Sequence, residues 1–576
     1  MTARTLPDAP GRTAASGPAR PATPAARLAA TAHHASLLLA YPALLWLGRD
    51  MWFRLDEWNI VLGHSPGDAR WYDVFAPFDV HWSTVLVLFY RGVGHFAGAS
   101  QYLPYMGITL AVFVVSVHMA WRVLRRCGAD PWVCTLLAAA LLVLGAGWES
   151  MYWVLILGYT LPLALIFGAV LLADREELHG RHRVGIAVLT LVAVMCTGAG
   201  VAMVVVPFVV VALRRGLRDG LSVVAPAALV YAIWLALAGS GILQHPGGAN
   251  RDDLGQVARF VWDGMSGSVS TLVGPVLLGA VGFVAVAVWM AGRWRRIGMP
   301  APVPACAAGA VAMFLLTAVG RANGGDAVLP HYIATGATLL MPAVALAITD
   351  LLRAVRRPAR LAYIVVVAGL CVVIAHNAVS LVDNAHAAAA ADQESRRIIL
   401  AAAAVSAHHE ALPDSYPEPI LAWAVSAADI ARLRASGDLQ PPASLPADLE
   451  AEVTLRLHVA VARASGPQGV DENGPPLVTT AVGATLSDDD TCATARSTGS
   501  SPFTVAVHFE TRGSLMIVPV TPVELIPYLR GDLDSPSDEV QPTLFLAPGD
   551  TRYLIDIQPR TTPLLRFSAG TVRLCG

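Results

Sequence analysis

Long apolar stretches recur from residue 28 to residue 381, separated by short polar turns. A helix needs about 20 apolar residues to cross a bilayer. The pattern therefore predicts a polytopic α-helical membrane protein with about eleven spans. Two of them are short and are separated by small residues from Thr197 to Gly200, a break typical of helices that line a cavity. The predicted spans lie near residues 28–48, 101–121, 131–147, 151–173, 184–197, 200–213, 221–239, 271–291, 303–319, 331–350 and 361–381.

Arginine clusters recur after every second apolar stretch. Positively charged loops stay in the cytoplasm, so we expect every cluster on the cytoplasmic face. The N-terminus then lies inside, and the segment after the eleventh span lies outside the plasma membrane. The clusters are Arg122, Arg125 and Arg126; Arg175, Arg181 and Arg183; Arg214, Arg215 and Arg218; Arg293, Arg295 and Arg296; and Arg353, Arg356, Arg357 and Arg360.

The first outer loop, residues 49–100, contains one apolar run that does not fit this alternating membrane topology. Counting residues 83–98 as a span would put the next arginine cluster outside. The run carries Arg91 and His95 one helical turn apart, with apolar residues at helical spacing. We therefore expect an amphipathic helix on the outer membrane surface.

The chain after residue 382 is predicted to be an extracytoplasmic α+β domain. Residues 383–440 favour helices, whereas residues 450–576 contain alternating apolar and polar positions typical of strands, beginning with 453–461. Further strands are expected near 503–510, 514–520, 543–546, 552–557 and 564–574, in a β-sandwich-like part. Cys492 and Cys575 are the two cysteines of this domain, and an oxidising compartment favours a disulfide between them.

Composition narrows the function classes. Hydrophobic residues make up 55% of the chain and charged residues 14%, and the net charge of −2 gives no footprint for nucleic acid. Residues 1–27 are rich in Pro, Ala, Arg and Thr and are predicted to be a disordered cytoplasmic tail. Acidic residues are scarce inside the spans, which disfavours a proton-coupled pump.

Asp56 and Glu57 directly follow the first span, beside Trp52, Phe53 and Trp58. Carboxylates among aromatic groups at a membrane surface tend to have raised pKa values, which suits a general base. The pair also has the oxygen ligands that a divalent cation needs, so metal binding remains an alternative. The other charged residues and the tryptophans of the outer loops have an alternative to a functional role, namely contact with solvent or anchoring at the membrane surface.

The acidic pair in a long outer loop with a surface helix resembles the GT-C membrane glycosyltransferases. The closer likeness is to bacterial hypothetical membrane proteins grouped with the RgtA/B/C/D-like glycosyltransferase domains. It covers roughly residues 28–400. Two departures stand out: Asp79-Val80-His81-Trp82 replaces the expected Asn-Glu-His-Trp, and His331-Tyr332 replaces Arg-Tyr. Each change indicates either an altered substrate or a copy without activity. The resemblance is carried by Asp56-Glu57-Trp58 and by residues 75–95, 102–126, 144–153, 158–163 and 320–346.

The resemblance implies transfer of a sugar from a polyprenyl-phosphate donor to an envelope glycan or lipid acceptor. Membrane lipids are the other partners it implies. Asp56 or Glu57 is expected as the catalytic base, supported by His81, which would orient the acceptor or the phosphate. Arg321 and His331 are expected to stabilise the leaving phosphate, helped by Arg91 and His95. The expected substrate-binding residues are Trp58, Trp82, Arg91, His95, Glu149, Arg321, His331 and Tyr332.

Two rival functions remain open on the sequence. A transporter or flippase for lipid-linked sugars should contain inverted repeats and mid-membrane polar residues. No clear repeat is visible, and mid-span charges are few. A non-catalytic envelope protein would not need the side chains of Asp56 and Glu57 for its function.

Overall fold

The computed structural model describes most of the helical region and much of the C-terminal region. The expected disordered tail falls outside it up to residue 22, whereas residues 24–27 already belong to the first helix. Asp79, the first residue of the Asp79-Val80-His81-Trp82 segment, also lies outside the described residues. The described ranges are 23–63, 74–78, 81–238, 254–273, 276–321, 326–355, 359–407, 416–418, 420–458, 478–489, 492–508, 513–532, 535–539, 544–546, 552–557 and 564–575.

Helices dominate the first 458 residues. They are α1 Pro24–Leu47, α2 Glu57–Gly63, α3 Thr84–Ala97, α4 Leu103–Arg126, α5 Pro131–Leu142, α6 Glu149–Tyr152, α7 Leu157–Ala173, α8 Gly180–Val194, α9 Gly198–Met203, α10 Val205–Arg215, α11 Leu217–Ala238, α12 Leu254–Val273, α13 Val276–Ile297, α14 Pro302–Arg321, α15 Pro330–Ala354, α16 Ala359–Val405, α17 Ala427–Ala435 and α18 Ala447–His458. Short 3₁₀ turns at Gly145–Gly147 and Val154–Ile156 flank α6.

The helical region is that of a multi-pass membrane protein. Among the described residues, nine helical segments are long and apolar enough to cross a bilayer. The sequence predicts eleven because it counts two shorter helices, α5 with 12 residues and α8 with 15. The break predicted at Thr197–Gly200 lies slightly earlier, at residues 195–197, because α8 ends at Val194 and Gly198–Gly200 already belong to α9. The run at 83–98 forms the separate helix α3, as expected.

The arginine clusters meet one another at one end of the bundle. Arg215 donates to the carbonyls of Ala173 and Glu176, each at 3.1 Å. Arg353 donates to the carbonyl of Gly128 at 3.1 Å. Ion pairs of 2.8 Å join Arg183 to Asp219 and Arg293 to Asp350. We call this the arginine end, and we call the opposite end, where α4 and α15 begin, the acidic end.

Helix α16 is continuous for 47 residues, so the predicted boundary at residue 382 falls inside one helix. Its second half, α17 and α18 share a hydrophobic core with the membrane helices. The strand predicted over 453–461 is wrong as far as residue 458, because the chain forms α18 there. Leu449, Val453 and Leu457 recur every fourth residue and are all buried, so helical packing prevails over the alternating pattern. Residues 459–461 lie outside the described part of the chain.

The C-terminal region contains two antiparallel sheets around a second core, which includes Phe503, Leu565 and Phe567. One sheet has the order β1-β4-β10-β6-β7, with β8 also paired to β6, and the other has the order β2-β3-β11-β5-β9. Cys492 and Cys575 are register partners on β3 and β11, and the predicted disulfide joins them. The strands are β1 Val478–Val482, β2 Ala484–Asp489, β3 Cys492–Ser497, β4 Phe503–His508, β5 Gly513–Pro519, β6 Val523–Asp532, β7 Ser535–Glu539, β8 Leu544–Leu546, β9 Arg552–Ile557, β10 Leu564–Phe567 and β11 Thr571–Cys575.

Candidate active site

The acidic pair lies on a strained turn between α1 and α2. Leu55, directly before Asp56, has a φ of 51°, a left-handed conformation that a branched aliphatic residue rarely adopts. Such strain persists only where the surrounding structure fixes it, and it is frequent at functional sites. The backbone N–H of Leu55 donates to the carbonyl of Leu421, so the turn is held by the C-terminal helical segment.

Glu57 is fully buried at the start of α2, and its carboxylate accepts three hydrogen bonds. Tyr90 of α3 donates to Oε1 at 2.6 Å, and Tyr102 donates to the same oxygen at 2.9 Å. The backbone N–H of Arg54 donates to Oε2 at 2.9 Å. A carboxylate held in this way anchors the turn and has no open face for a substrate.

Burial raises the pKa of Glu57 from its ordinary value of 4.5 to about 7, although the three hydrogen bonds and nearby Arg54 lower it. Burial also raises the pKa values of Tyr90 and Tyr102 well above their usual range. Both phenols therefore stay protonated and can donate to Glu57 near neutral pH. The Glu57 carboxyl itself changes charge close to physiological pH.

A buried ion pair fixes the turn from the other side. Arg54 pairs with Asp392 of α16 through a short hydrogen bond, and both side chains are buried. Oδ2 of Asp392 also accepts from the backbone N–H of Trp52 at 3.0 Å. One residue further on, Gln393 donates to the carbonyl of Asp50 at 2.6 Å. The turn that carries the acidic pair is thus tied to a helix more than 330 residues later in the chain.

Asp56 differs from Glu57 in exposure, since it is only half-buried. Trp58, predicted to bind substrate, is fully buried against Trp52 and Phe53, with ring centroids 5.1 and 5.4 Å apart. Trp58 therefore packs the interior of the loop and can affect a substrate only by positioning the turn. Of the acidic pair, Asp56 is the member that is only half-buried.

A second cluster at the acidic end contains Glu149 and His331. Nδ1 of His331, at the start of α15, lies 2.6 Å from Oε2 of Glu149, at the start of α6. The rings of Tyr159 and Tyr332 lie 5.1 and 4.3 Å from the His331 ring, and Trp153 lies 6.1 Å from it. The predicted residues Glu149, His331 and Tyr332 are therefore brought together.

Arg321 is the exposed last residue of α14, and this helix packs against α15, which carries His331 and Tyr332. His81 is half-buried beside Gly198, and a Cβ added to that glycine would lie 3.2 Å from the His81 ring. The neighbouring Trp82 is buried and stacks on Trp234 of α11 at 5.2 Å, so it packs the protein interior.

One short segment, residues 148–154, joins the acidic turn to the histidine cluster. The guanidinium of Arg54 lies 5.2 Å from the Trp148 ring centroid. The Tyr102 hydroxyl, which donates to Glu57, accepts from the backbone N–H of Val154 at 3.0 Å. Glu149 lies within this segment, so the two clusters flank one piece of backbone.

The remaining predicted residues, Arg91 and His95, lie on α3. Arg91 lines a pocket next to Tyr90, and His95 is exposed one turn later. α3 also presents apolar side chains outward, since Leu88 is 53% exposed and Phe96 is 88% exposed.

The described residues do not assemble a metal site. No group of three or more His, Cys, Asp or Glu side chains among them is placed to hold an ion. Both oxygens of Glu57 already accept hydrogen bonds. Metal binding by the acidic pair stays a prediction.

Sequence reasoning missed Arg54, Tyr90, Tyr102 and Asp392. Arg54 stands beside the acidic pair, and an arginine next to two carboxylates in the sequence is a signal that could have indicated a role for it. Asp392 is an acidic residue in an alanine-rich stretch. From the sequence, a solvent-exposed position for it is as good an interpretation as a buried ion pair. Nothing in the sequence pairs it with Arg54, because the contact depends on the path of α16.

No protein-family model matches the chain, and no curated protein does so. Among solved structures, the crystal structure of ArnT from Cupriavidus metallidurans bound to undecaprenyl phosphate is similar in part. The match has a TM-score of 0.41 and 14% sequence identity, and it covers 72% of this chain and 89% of that chain. At that TM-score and identity, neither the ligand nor the chemistry of ArnT carries over to this chain.

Proposed function

We propose that the chain is a membrane glycosyltransferase that moves a sugar from a polyprenyl-phosphate donor to a hydroxyl of a cell-envelope acceptor. Asp56 acts as the general base, and the reaction takes place at the acidic end, on the outer face of the membrane. The observation that carries the proposal is the anchoring of the acidic turn. The half-buried Asp56 lies on a strained turn that Glu57, Asp392 and Leu421 hold from different directions.

In this reaction Asp56 takes the proton of the acceptor hydroxyl as its oxygen attacks the anomeric carbon of the sugar. The bond between that carbon and the donor phosphate breaks, and polyprenyl phosphate leaves with the bonding electron pair. General-base catalysis needs a carboxylate held at hydrogen-bonding distance from the acceptor, so a fixed turn is an advantage. Glu57 supports the base by holding the turn.

The leaving phosphate needs cationic and hydrogen-bonding groups. Arg321 supplies an exposed guanidinium, and His331 supplies an imidazole whose Nδ1 is oriented by Glu149 at 2.6 Å. Nε2 of His331 is proposed to hydrogen-bond the leaving phosphate, as the second ring nitrogen is used in other carboxylate-oriented histidines. His81, beside Gly198, is proposed to orient the acceptor or the phosphate.

The polyprenyl chain needs a path from the bilayer to this end of the protein. The exposed Leu88 and Phe96 on α3 offer an apolar surface that is typical of helices at the membrane interface. This supports the proposal that α3 lies against the lipid headgroups and forms one wall of the donor path.

Mass spectrometry of lipids that copurify with the protein in lipid nanodiscs tests the proposal. We expect a polyprenyl-phosphate sugar or polyprenyl phosphate to copurify with the wild-type protein. Its amount should fall at least tenfold in Arg321→Gln and in His331→Ala, and should persist in Asp56→Asn, because the base contributes to turnover more than to donor binding. Arg259→Gln, at an exposed arginine on α12, is the control. Absence of polyprenyl lipids from all preparations would contradict the proposal.

A further inference from the structure

Two asparagines of α16, Asn377 and Asn384, hold the short 3₁₀ turn at Gly145–Gly147. Asn384 follows Asn377 after about two helical turns, so both side chains lie on one side of α16. Oδ1 of Asn377 accepts from the backbone N–H of Gly145 at 3.1 Å, and Nδ2 of Asn384 donates to the carbonyl of the same residue at 3.1 Å. One helix therefore binds both polar groups of the Gly145 backbone.

This turn lies between α16 and the helix that carries His331. A Cβ on Gly145 would lie 2.6 Å from the Ser380 side chain of α16, and a Cβ on Gly147 would lie 2.7 Å from the Cβ of Ala334 of α15. Both distances are too short for a residue with a side chain, so the close approach requires glycine at each position. Since Ala334 lies in the helical turn directly after His331, packing on two sides fixes the 3₁₀ turn next to the histidine cluster.

The asparagines bind the chain where its helical path is broken. α5 ends at Leu142 and α7 begins at Leu157, and the stretch between them contains the single-turn helix α6 and two 3₁₀ turns. Helix ends leave backbone N–H and C=O groups without intrahelical partners, and at membrane depth such groups need partners within the protein. An asparagine amide both accepts and donates. Asn377 does both, since its Nδ2 also donates to the carbonyls of Thr271 at 3.2 Å and Val373 at 3.0 Å.

One oxygen atom links Asn384 to the backbone that carries Glu149. The carbonyl oxygen of Gly145 accepts from Asn384 and also from the backbone N–H of Trp148 at 3.2 Å. Glu149 follows Trp148 directly and begins α6, and its Oε2 lies 2.6 Å from Nδ1 of His331. A displacement of Gly145 therefore displaces Glu149, and a hydrogen bond of this length weakens when its two atoms move apart.

We propose that Asn377 and Asn384 are positioning residues that hold Glu149 against His331. The part that His331 plays in the departure of the phosphate rests on the proposed transferase function, whereas the positioning of Glu149 does not. Asp392 of the same helix holds the acidic turn. α16 thus supports both clusters of the candidate active site.

NMR of the full chain in lipid nanodiscs, with ¹⁵N-labelled histidine rings, tests this positioning role. The Nδ1 signal of His331 is the one that His331→Gln removes, and Glu149→Gln gives the position of that signal without the carboxylate partner. Asn384→Ala should move the signal most of the way to its position in Glu149→Gln. Asn384→Asp keeps the size of the side chain but replaces the donor with a carboxylate that only accepts, so it should move the signal as far.

Asp383→Ala is the matched control, since Asp383 is exposed and directly precedes Asn384 on the same helix. It should leave the His331 signal at its wild-type position. The proposal is overturned if both Asn384 variants lower the melting temperature while the signal stays in place, or if neither variant folds, because the asparagine would then only hold the bundle together. If the signal moves as expected but no polyprenyl lipid copurifies with the wild-type protein, the transferase proposal fails and the positioning of Glu149 stands.

Discussion

The hydroxyl of Tyr90 donates to Oε1 of Glu57 at 2.6 Å, and both side chains are buried. This bond connects α3, the predicted surface helix, to the turn that carries Asp56. It also divides the acidic pair into two roles, because the bonded Glu57 is enclosed and Asp56 is half-exposed. Glu57 is therefore a positioning residue in the proposed mechanism.

The first prediction concerns the pH dependence of stability. The pKa of Glu57 is raised in the folded protein from 4.5 to about 7, so the folded state binds its proton more tightly than the unfolded state. The stabilising contribution of protonated Glu57 is complete below about pH 4.5 and is lost as the pH rises towards 7. Thermal melting in nanodiscs should show this loss in the wild type, and Glu57→Gln should lack it.

Infrared spectroscopy supplies the direct measurement for that prediction. A protonated carboxyl band should titrate near neutral pH in the wild-type protein and be missing in Glu57→Gln. Tyr90→Phe removes a hydrogen bond that lowers the pKa of Glu57, so its midpoint should move to higher pH. A band that titrates fully below pH 5 in the wild type would contradict the buried environment of Glu57.

The second prediction concerns the buried pair of Arg54 and Asp392. Removing one partner strands a buried charge, which typically costs about 3–5 kcal/mol. Asp392→Leu and Arg54→Met should each destabilise the protein by roughly that amount, measured by equilibrium unfolding in micelles. The double variant Arg54→Met/Asp392→Leu should recover part of the loss, since it leaves no unpaired charge.

The control for this pair is Arg397 and Glu394 on the same helix, an exposed ion pair at 2.7 Å. Breaking it should cost less than about 1 kcal/mol, as exposed pairs usually do. Strictly additive losses in the double variant at Arg54 and Asp392 would mean that the two side chains do not act as a pair.

The third prediction concerns sidedness. The arginine clusters meet at one end of the bundle, and the positive-inside rule assigns that end to the cytoplasm. Reporter fusions at Gly180 and Gly298 should read cytoplasmic, and fusions at Gly247 and Gly466 should read external. An external reading at Gly180 would reverse the assignment of the acidic end to the outer face.

Much of the architecture follows from local patterns. The sequence predicts the apolar stretches of span length, an interruption near Thr197, helix α3 and the pairing of Cys492 with Cys575. The strand predicted from residue 453 was wrong because the alternating and helical patterns coincide at Val453 and Leu457, and packing against the bundle decides between them. The unbroken course of α16 was missed because a change in composition does not end a helix.

The candidate site was predictable only where its residues lie close in sequence. Asp56 and Glu57 are recognisable as an acidic pair after a span, but their division into exposed and buried members is not. That division depends on Tyr90 from the same loop, on Tyr102 at the start of α4 and on Asp392 from a distant helix. Glu149 and His331 were each named from the sequence, whereas their contact at 2.6 Å depends on how α6 and α15 pack.

The central claim is that Asp56 is the catalytic base, and turnover by the purified protein tests it most directly. The assay supplies extracted polyprenyl-phosphate sugars with envelope glycan and measures the free polyprenyl phosphate released. Asp56→Asn should slow release at least about a hundredfold, the usual contribution of a positioned base, with donor lipid still bound. Asp50→Asn, at an exposed acid of the same loop, should turn over at the wild-type rate. Wild-type turnover by Asp56→Asn would contradict the account.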